Sequence, residues 1–379
     1  MPPVNFYRAM QNRSPEGIAQ AVALTLMGTR ADKWPKEQLA GLAAFFFKVG
    51  YKETGEWKEE IIFFDPSKAL PKPGEAAAKP ASEPPAEGAA KPAPPPTSIE
   101  PVAAVFPDGT KVQLNLDRDP REIFADWLIK PENPWFARNI TNRMWSWLVG
   151  RGIIHEPDDI RPDNPPANPE LLAYLEQELV SSHYDLKHIY RLILNSKTYQ
   201  LSSIPRTDNP AGAANFAYYP LRRLDAEVLA DALCQITGTT EEYSSAIPEP
   251  FTFINQGQRS ISLPDGSISS SFLELFGRPS RDSGLESERN NRPSPDQRLH
   301  FLNSSHVQTK LDTGPKFQGV LKSTENPHDL VTWLYLMILS RYPTEEEYKI
   351  AEGYSSKGRD GSVDLAWALI NSSEFLYRH

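Results

Sequence analysis

The chain has a single cysteine, Cys234, so it can form no internal disulfide and cannot by itself assemble a thiolate-rich metal cluster. Long apolar runs are missing too. The longest, Leu39 to Phe47, is half of the roughly 18 residues that a membrane-crossing helix requires, so no membrane span is expected. Positive charge is not in excess. The 40 basic and 49 acidic residues leave a formal charge of -9, which removes any global attraction for nucleic acid or anionic lipid. Neither GxSxG nor HExxH nor a lysine-bearing phosphate loop occurs. At Met1 no basic segment is followed by an apolar one, so no signal peptide is read from this chain. What is present, 39% apolar and 23% charged residues, is the composition of a chain that buries a core.

Proline is abundant and unevenly spread. Eleven of the 36 prolines fall in residues 66–101, among alanine, lysine and glutamate with almost nothing to bury, which predicts an extended linker. It separates a short helical segment, 1–65, from a long helical domain, 102–379. In the first, Ser14 and Pro15 start a helix whose stripe Ile18, Val22, Leu26 closes at Gly28, and a second helix is predicted over Lys36 to Val49 with Gly50 as its cap. Residues 60–64 read as a short strand, and the whole segment is expected to dock on the rest. After the linker, Asp108-Gly109 predicts a turn between two brief strands.

Helical punctuation then repeats. Asp119-Pro120, Asn133-Pro134 and Asn168-Pro169 each place a capping side chain before a proline whose missing N–H costs nothing at a helix start. Apolar stripes at the 3.6-residue period follow, through Phe124 and Trp127, Met144 and Trp147, and Leu172, Leu175 and Leu179. Further helices are predicted from Asp185, from Arg222 to Gly238, through Leu330 to Ile338, from the capping box at Thr344 to Glu347, and through Leu365 to Ile370. Between Thr239 and Asp329 the periodicity fades into long loops. The expected fold is mainly α: a helical bundle-like body with long irregular loops and a few short strands.

From Asp119 the chain reads DPREIFADWLIKPENPWFARNITNRMWSWLVGRGIIHEPDD, continuing through Arg222-Arg223-Leu224-Asp225-Ala226-Glu227, Phe276-Gly277-Arg278-Pro279 and Ser340-Arg341-Tyr342-Pro343 to Asn371-Ser372-Ser373-Glu374-Phe375. This resembles the planctomycete-associated domain of unknown function fifteen-fifty-three, the PSD-one domain. The 1–65 segment, with VNFYRAMQNRSPEGIAQAV, looks like the tail of the companion domain fifteen-forty-nine, which implies a shortened member. The resemblance carries no established reaction. It implies an exported protein, periplasmic or extracellular, of a kind often accompanied by a c-type cytochrome domain. Two departures stand out: Met27 to Trp34 replaces a CxxCH stretch, and Leu285-Glu286-Ser287-Glu288-Arg289 replaces CxCER. Their joint loss suggests that in relatives the two motifs meet as one staple, which would put Thr29 to Trp34 beside Leu285 to Ser287 here. Without those thiols, neither haem nor a thiolate zinc site carries over.

Three groups of residues invite a site. Asn142 and Arg143 share a helix with Trp145 and Trp147; Arg222-Arg223 form a second group; and Arg278, Arg281, Glu286, Glu288, Arg289 and Arg292 lie in the long irregular region. An arginine fork beside aromatic faces suits a sugar or carboxylate, and a ligand site is expected among these groups. The bland alternative is a core tryptophan helix and a solvated set of ion pairs. The acidic run around His155-Glu156-Pro157-Asp158-Asp159 lacks the spacing of a calcium loop and reads as a connector, so no metal is expected, and no cofactor. His183 and His188 are five apart, off a common helical face. His300 and His306 lack a nucleophile partner, and Cys234 on an apolar stripe reads as a structural thiol. The leading expectation is a non-catalytic helical module binding a protein or an envelope polymer. The alternative is a polysaccharide hydrolase using Glu156, Asp158 or Asp159 as acid and base. A redox partner of cytochromes is a third reading, weakened by the missing cysteines.

Overall fold

The structure is a computed structural model and describes residues 6–7, 10, 12–53, 60–68, 102–114, 118–245, 253–263, 268–279 and 288–378. The linker expected at 66–101 thus lies outside the described residues, except for 66–68. The fold is mainly α, with short antiparallel strand pairs. The described residues fall into two compact units, one within Met1–Tyr199 and one within Gln200–Arg281 and Ser287–His379, and the helical stripes are divided between them.

The first unit begins with α1 (Pro15–Val22), where the Ser14 hydroxyl accepts from the Gly17 amide at 3.1 Å and supplies one of the acceptors that a helix start lacks. A π-helical turn, Ala23–Met27, carries the chain to Gly28, which ends it at φ 65, a conformation that favours glycine. Then α2 (Lys36–Ala43) stops six residues short of the predicted end, and Val49 opens β1 (Val49–Glu53), paired with β2 (Glu60–Phe64). The reason is burial. Phe45, Phe46 and Phe47 are all inside, and three consecutive side chains cannot share one helical face. Gly50 is therefore a strand residue opposite Phe63 rather than a cap.

The hairpin β3 (Val102–Val105) and β4 (Lys111–Leu114) turns at Gly109, as expected, with φ 86. It is followed by α3 (Pro120–Leu128), α4 (Pro134–Val149), α5 (Pro169–Ser181) and α6 (Leu186–Leu194). Asp119, Asn133 and Asn168 all accept a backbone N–H from the first turn of α3, α4 and α5. The docking of the N-terminal segment is aromatic. Phe45 stacks on Phe106 at 4.8 Å and meets Phe124 at 5.6 Å, while Phe106 stacks on Trp127 at 4.9 Å.

The second unit is built around α7 (Ala226–Thr237), whose Ala226, Leu229, Ala230 and Leu233 are fully buried and which Gly238 closes at φ 74. Strand β5 (Arg222–Arg223) precedes it, β6 (Ser244–Ser245) pairs with β7 (Ile268–Ser269), and α8 (Ser271–Leu275) supplies Phe272 to the core. The region expected to be irregular then holds three successive helices: α9 (Pro295–Asn303), α10 (Ser305–Thr313) and α11 (Pro315–Ser323). They are polar and escape periodicity because each buries only a narrow stripe, such as Phe301, Val307 with Leu311, and Phe317. Their punctuation is nonetheless ordinary, with Ser294 in a capping box and prolines at the first positions of α9 and α11. Next come α12 (Pro327–Leu339), α13 (Glu345–Ser355), entered through the Thr344–Glu347 capping box, α14 (Arg359–Ile370) and α15 (Ser373–Leu376). Finally β8 (Tyr377–Arg378) pairs antiparallel with β5, placing Tyr377 opposite Arg223. Among the described residues, no helix is long and apolar enough to cross a membrane.

Candidate functional site

In the second unit, α7 starts at Asp225, and its first turn carries Glu227, 3% exposed. Arg289 closes on that carboxylate with two hydrogen bonds of 2.8 Å, the bidentate geometry in which a guanidinium fork matches a carboxylate, and Arg278 Nε lies 3.6 Å away. Burial alone pushes the Glu227 carboxyl up, but the Arg289 hydrogen bonds and charge outweigh it and hold the group below its ordinary range. Arg278 also donates to the Ile268 carbonyl. Asp225 accepts from Asn291 at 2.6 Å and from Arg378 at 2.9 Å, which ties β8 to the start of α7.

Arg223 is placed differently. It is 5% exposed, its Nη2 donates to the carbonyls of Phe276 at 2.6 Å and Asn290 at 3.3 Å, and its guanidinium lies 5.1 Å above the Phe276 ring. Nε and Nη1 have no hydrogen-bond partner among the described residues. Desolvation pulls its pKa down, with Tyr377 and Asp225 favouring the charge and Arg289 opposing it. Arg223 forms part of the wall of a cavity of about 240 Å³, along with Phe276, Ser294, Gln297, Phe301, Asn371, Leu376 and Tyr377.

The sequence-predicted residues thus fall into two groups. Arg278 and Arg289 come together on Glu227. Arg222 points elsewhere, donating to the Tyr219 hydroxyl at 2.9 Å, and Glu288 is half-buried beside Arg289 in the chain. Arg281 lies outside the described residues, as do Leu285 to Ser287, the second half of the expected staple. Asn142 and Arg143 belong to the first unit. There Arg143 pairs with the buried Asp158 at 2.6 Å and donates to Asn139 and to the Leu24 carbonyl, while Asn142 exchanges two hydrogen bonds with the Ile154 backbone. Both brace α4 against the π-helical turn and the 150s loop. Trp145 is buried and Trp147 is 40% exposed.

The acidic run behaves as a connector. Asp159 and Asp163 both pair with Arg161, Glu156 meets His155, and Asn164 donates to the carbonyls of His155 and Asp159. No group of three or more metal-ligating side chains occurs among the described residues. His188 pairs with Glu178 at 2.7 Å.

Of the two residues at the centre of the second unit, Arg223 is singled out in the sequence beside Arg222, whereas Glu227 is quoted only within a longer motif. Of a further set, the sequence singles out His300, His306 and Cys234 but not Glu241 and Lys310. His300 Nε2 and His306 Nδ1 lie 3.3 Å apart, His306 reaches Glu241 at 3.1 Å, and Glu241 meets Lys310 at 3.3 Å, which in turn contacts Cys234 Sγ at 3.4 Å. Burial pushes the Cys234 thiol up, against Lys310. With Lys310 shared by Glu241, the thiol lacks the uncompensated positive neighbour that would make it a thiolate.

A family model, Protein of unknown function (DUF1553), PSD1, matches residues 120–355. Comparison with curated proteins finds no match, and comparison with solved structures finds none.

Proposed function

The chain belongs to the DUF1553 family of proteins of unknown function, and on that footing we propose that it is a non-catalytic interaction module of an exported, envelope-associated protein, binding a protein or an envelope polymer. One observation carries the reading. Each carboxylate with a displaced pKa among the described residues, Asp65, Asp108, Glu227, Glu241 and Glu347, is held below its ordinary value, and none above it. A general acid working near neutrality needs the opposite displacement. Asp158 and Asp159, the carboxylates that a hydrolase would recruit, face Arg143 and Arg161. Large apolar side chains are meanwhile offered outward: Ile350 and Tyr354, one turn apart on α13, are 68% and 44% exposed.

The test presents the protein with soluble envelope polysaccharide and with immobilised envelope proteins, measuring binding and release of reducing ends together. Retention without turnover is expected. Polysaccharide cleavage that survives in the wild type and disappears in Asp159→Asn would replace the reading with the hydrolase.

A further inference from the structure

We propose that the cavity beside Arg223 is a binding site for a small carboxylate carrying an apolar or aromatic body. The inference goes beyond the interaction reading and stands without it.

The first argument is charge. A guanidinium buried to 5% exposure normally finds a carboxylate, because an uncompensated buried charge is costly. Arg278 and Arg289 have theirs in Glu227. Arg223 has two neutral carbonyls on Nη2, feels Asp225 without a hydrogen bond to it, and has no hydrogen-bond partner on Nε and Nη1 among the described residues. Those two nitrogens have already lost their water, so an anion meeting them displaces no hydration shell. Both nitrogens are buried from solvent, on a residue that lines the cavity.

The second argument is shape and lining. The cavity, about 240 Å³, exceeds the roughly 150 Å³ of an apolar cavity that accepts benzene. Phe276, Phe301 and Leu376 give it an apolar body, whereas Ser294, Gln297 and Asn371 supply few polar groups. That balance suits one negative charge on a greasy frame. A phosphate dianion would need more donors than the two Arg223 nitrogens that carry no hydrogen bond. Arg298, exposed on α9 and also in the wall, adds attraction at the mouth.

The carboxylate has two possible sources, a free small acid or the C-terminus of a peptide. Benzoate, benzamide, inorganic phosphate, N-acetyl-Gly-Phe and its C-terminal amide are titrated into the full chain, followed by calorimetry and by thermal shift. Benzoate is expected to bind and raise the melting temperature, with benzamide and phosphate at least about tenfold weaker. Benzamide binding as well as benzoate, or no benzoate binding at about 10 mM, would overturn the site. If the peptide acid binds tighter than benzoate while its amide does not, the carboxylate comes from a chain terminus; if benzoate binds tighter, it comes from a free acid. Arg223→Gln is expected to lose at least about tenfold in benzoate affinity, a charged hydrogen-bond partner being worth that much. Should that variant fail to fold, Leu302→Trp, at a wall position 46% exposed, fills the space without touching the buried core. Leu302→Trp that melts like the wild type and binds tenfold less well supports the location; undiminished binding refutes it.

Discussion

Arg289 holds Glu227 through two hydrogen bonds of 2.8 Å, so a residue in a stretch of faded periodicity is locked to the first turn of a buried core helix of its unit. The pair is asymmetric. Glu227 is 4% exposed at its side chain and Arg289 24%, so removing the acid strands charge inside, while removing the base leaves Arg278 as a second cation nearby.

Glu227→Gln should therefore destabilise the second unit by about 3 kcal/mol, the order expected when one partner of a buried pair is lost. Urea unfolding would show a lower midpoint with an unchanged slope. Arg289→Gln should cost less. Equal losses from the two variants would contradict the asymmetry.

The first unit has its own buried pair. Asp158→Asn leaves the buried Arg143, which also donates to the Leu24 carbonyl of the π-helical turn, facing a neutral amide where the carboxylate stood at 2.6 Å, with an expected loss of about 3–5 kcal/mol. Asp163→Asn, whose carboxylate is 72% exposed, should change stability by less than about 0.5 kcal/mol. Thermal melts of the two variants side by side are the check.

Gly277 sits at φ 81, and a Cβ there would come within 2.0 Å of the Asn290 carbonyl, which also accepts from Arg223. Gly277→Ala should cost about 1–3 kcal/mol through backbone strain and displacement of that carbonyl. The same variant should weaken benzoate binding, measured by calorimetry on whatever fraction remains folded.

Acid should weaken the fold in two stages. Burial lowers the His300 pKa from 6.5, and Glu227, Glu241 and Glu347 are held below 4.5, Glu347 down to about 2 by Arg341. Every one of these groups has a folded pKa below its unfolded value. Its stabilising contribution is complete above the unfolded value and disappears as pH falls through the folded one. Melting temperature should fall first below about pH 6.5 and again between about pH 4.5 and 2. Glu347→Gln should flatten the last part of the second stage and leave the first unchanged.

Cys234 should be slow to react. Its raised pKa leaves little thiolate near neutrality, and iodoacetamide labelling at pH 7.5 should run at least about tenfold slower than a free cysteine. Labelling at the free rate would mean that Lys310 activates the thiol.

Much of the first unit could be read in advance because its signals are local. Asp119, Asn133 and Asn168 act within three residues of themselves, and a cap needs nothing distant to work. The second helix was overextended because Phe45, Phe46 and Phe47 look like helix continuation until their three directions must all be buried. Helices α9 to α11 escape the pattern for the reverse reason: one or two buried apolar residues per helix leave no stripe to see.

Arg278 and Arg289 are singled out in the sequence, but not the carboxylate they share. Arg289 and Glu227 are 62 positions apart, and nothing in either segment shows that one bears the other's countercharge while the hydrogen bonds of Arg223 go to backbone carbonyls. Composition and short-range pattern determined the helical class, the helix starts and the lack of a thiolate centre, since each depends on residues within a turn or on simple counts. Tertiary structure alone decided which charges cancel and which stay unanswered around a cavity, because ion pairing at low dielectric depends on distances that only the folded chain sets.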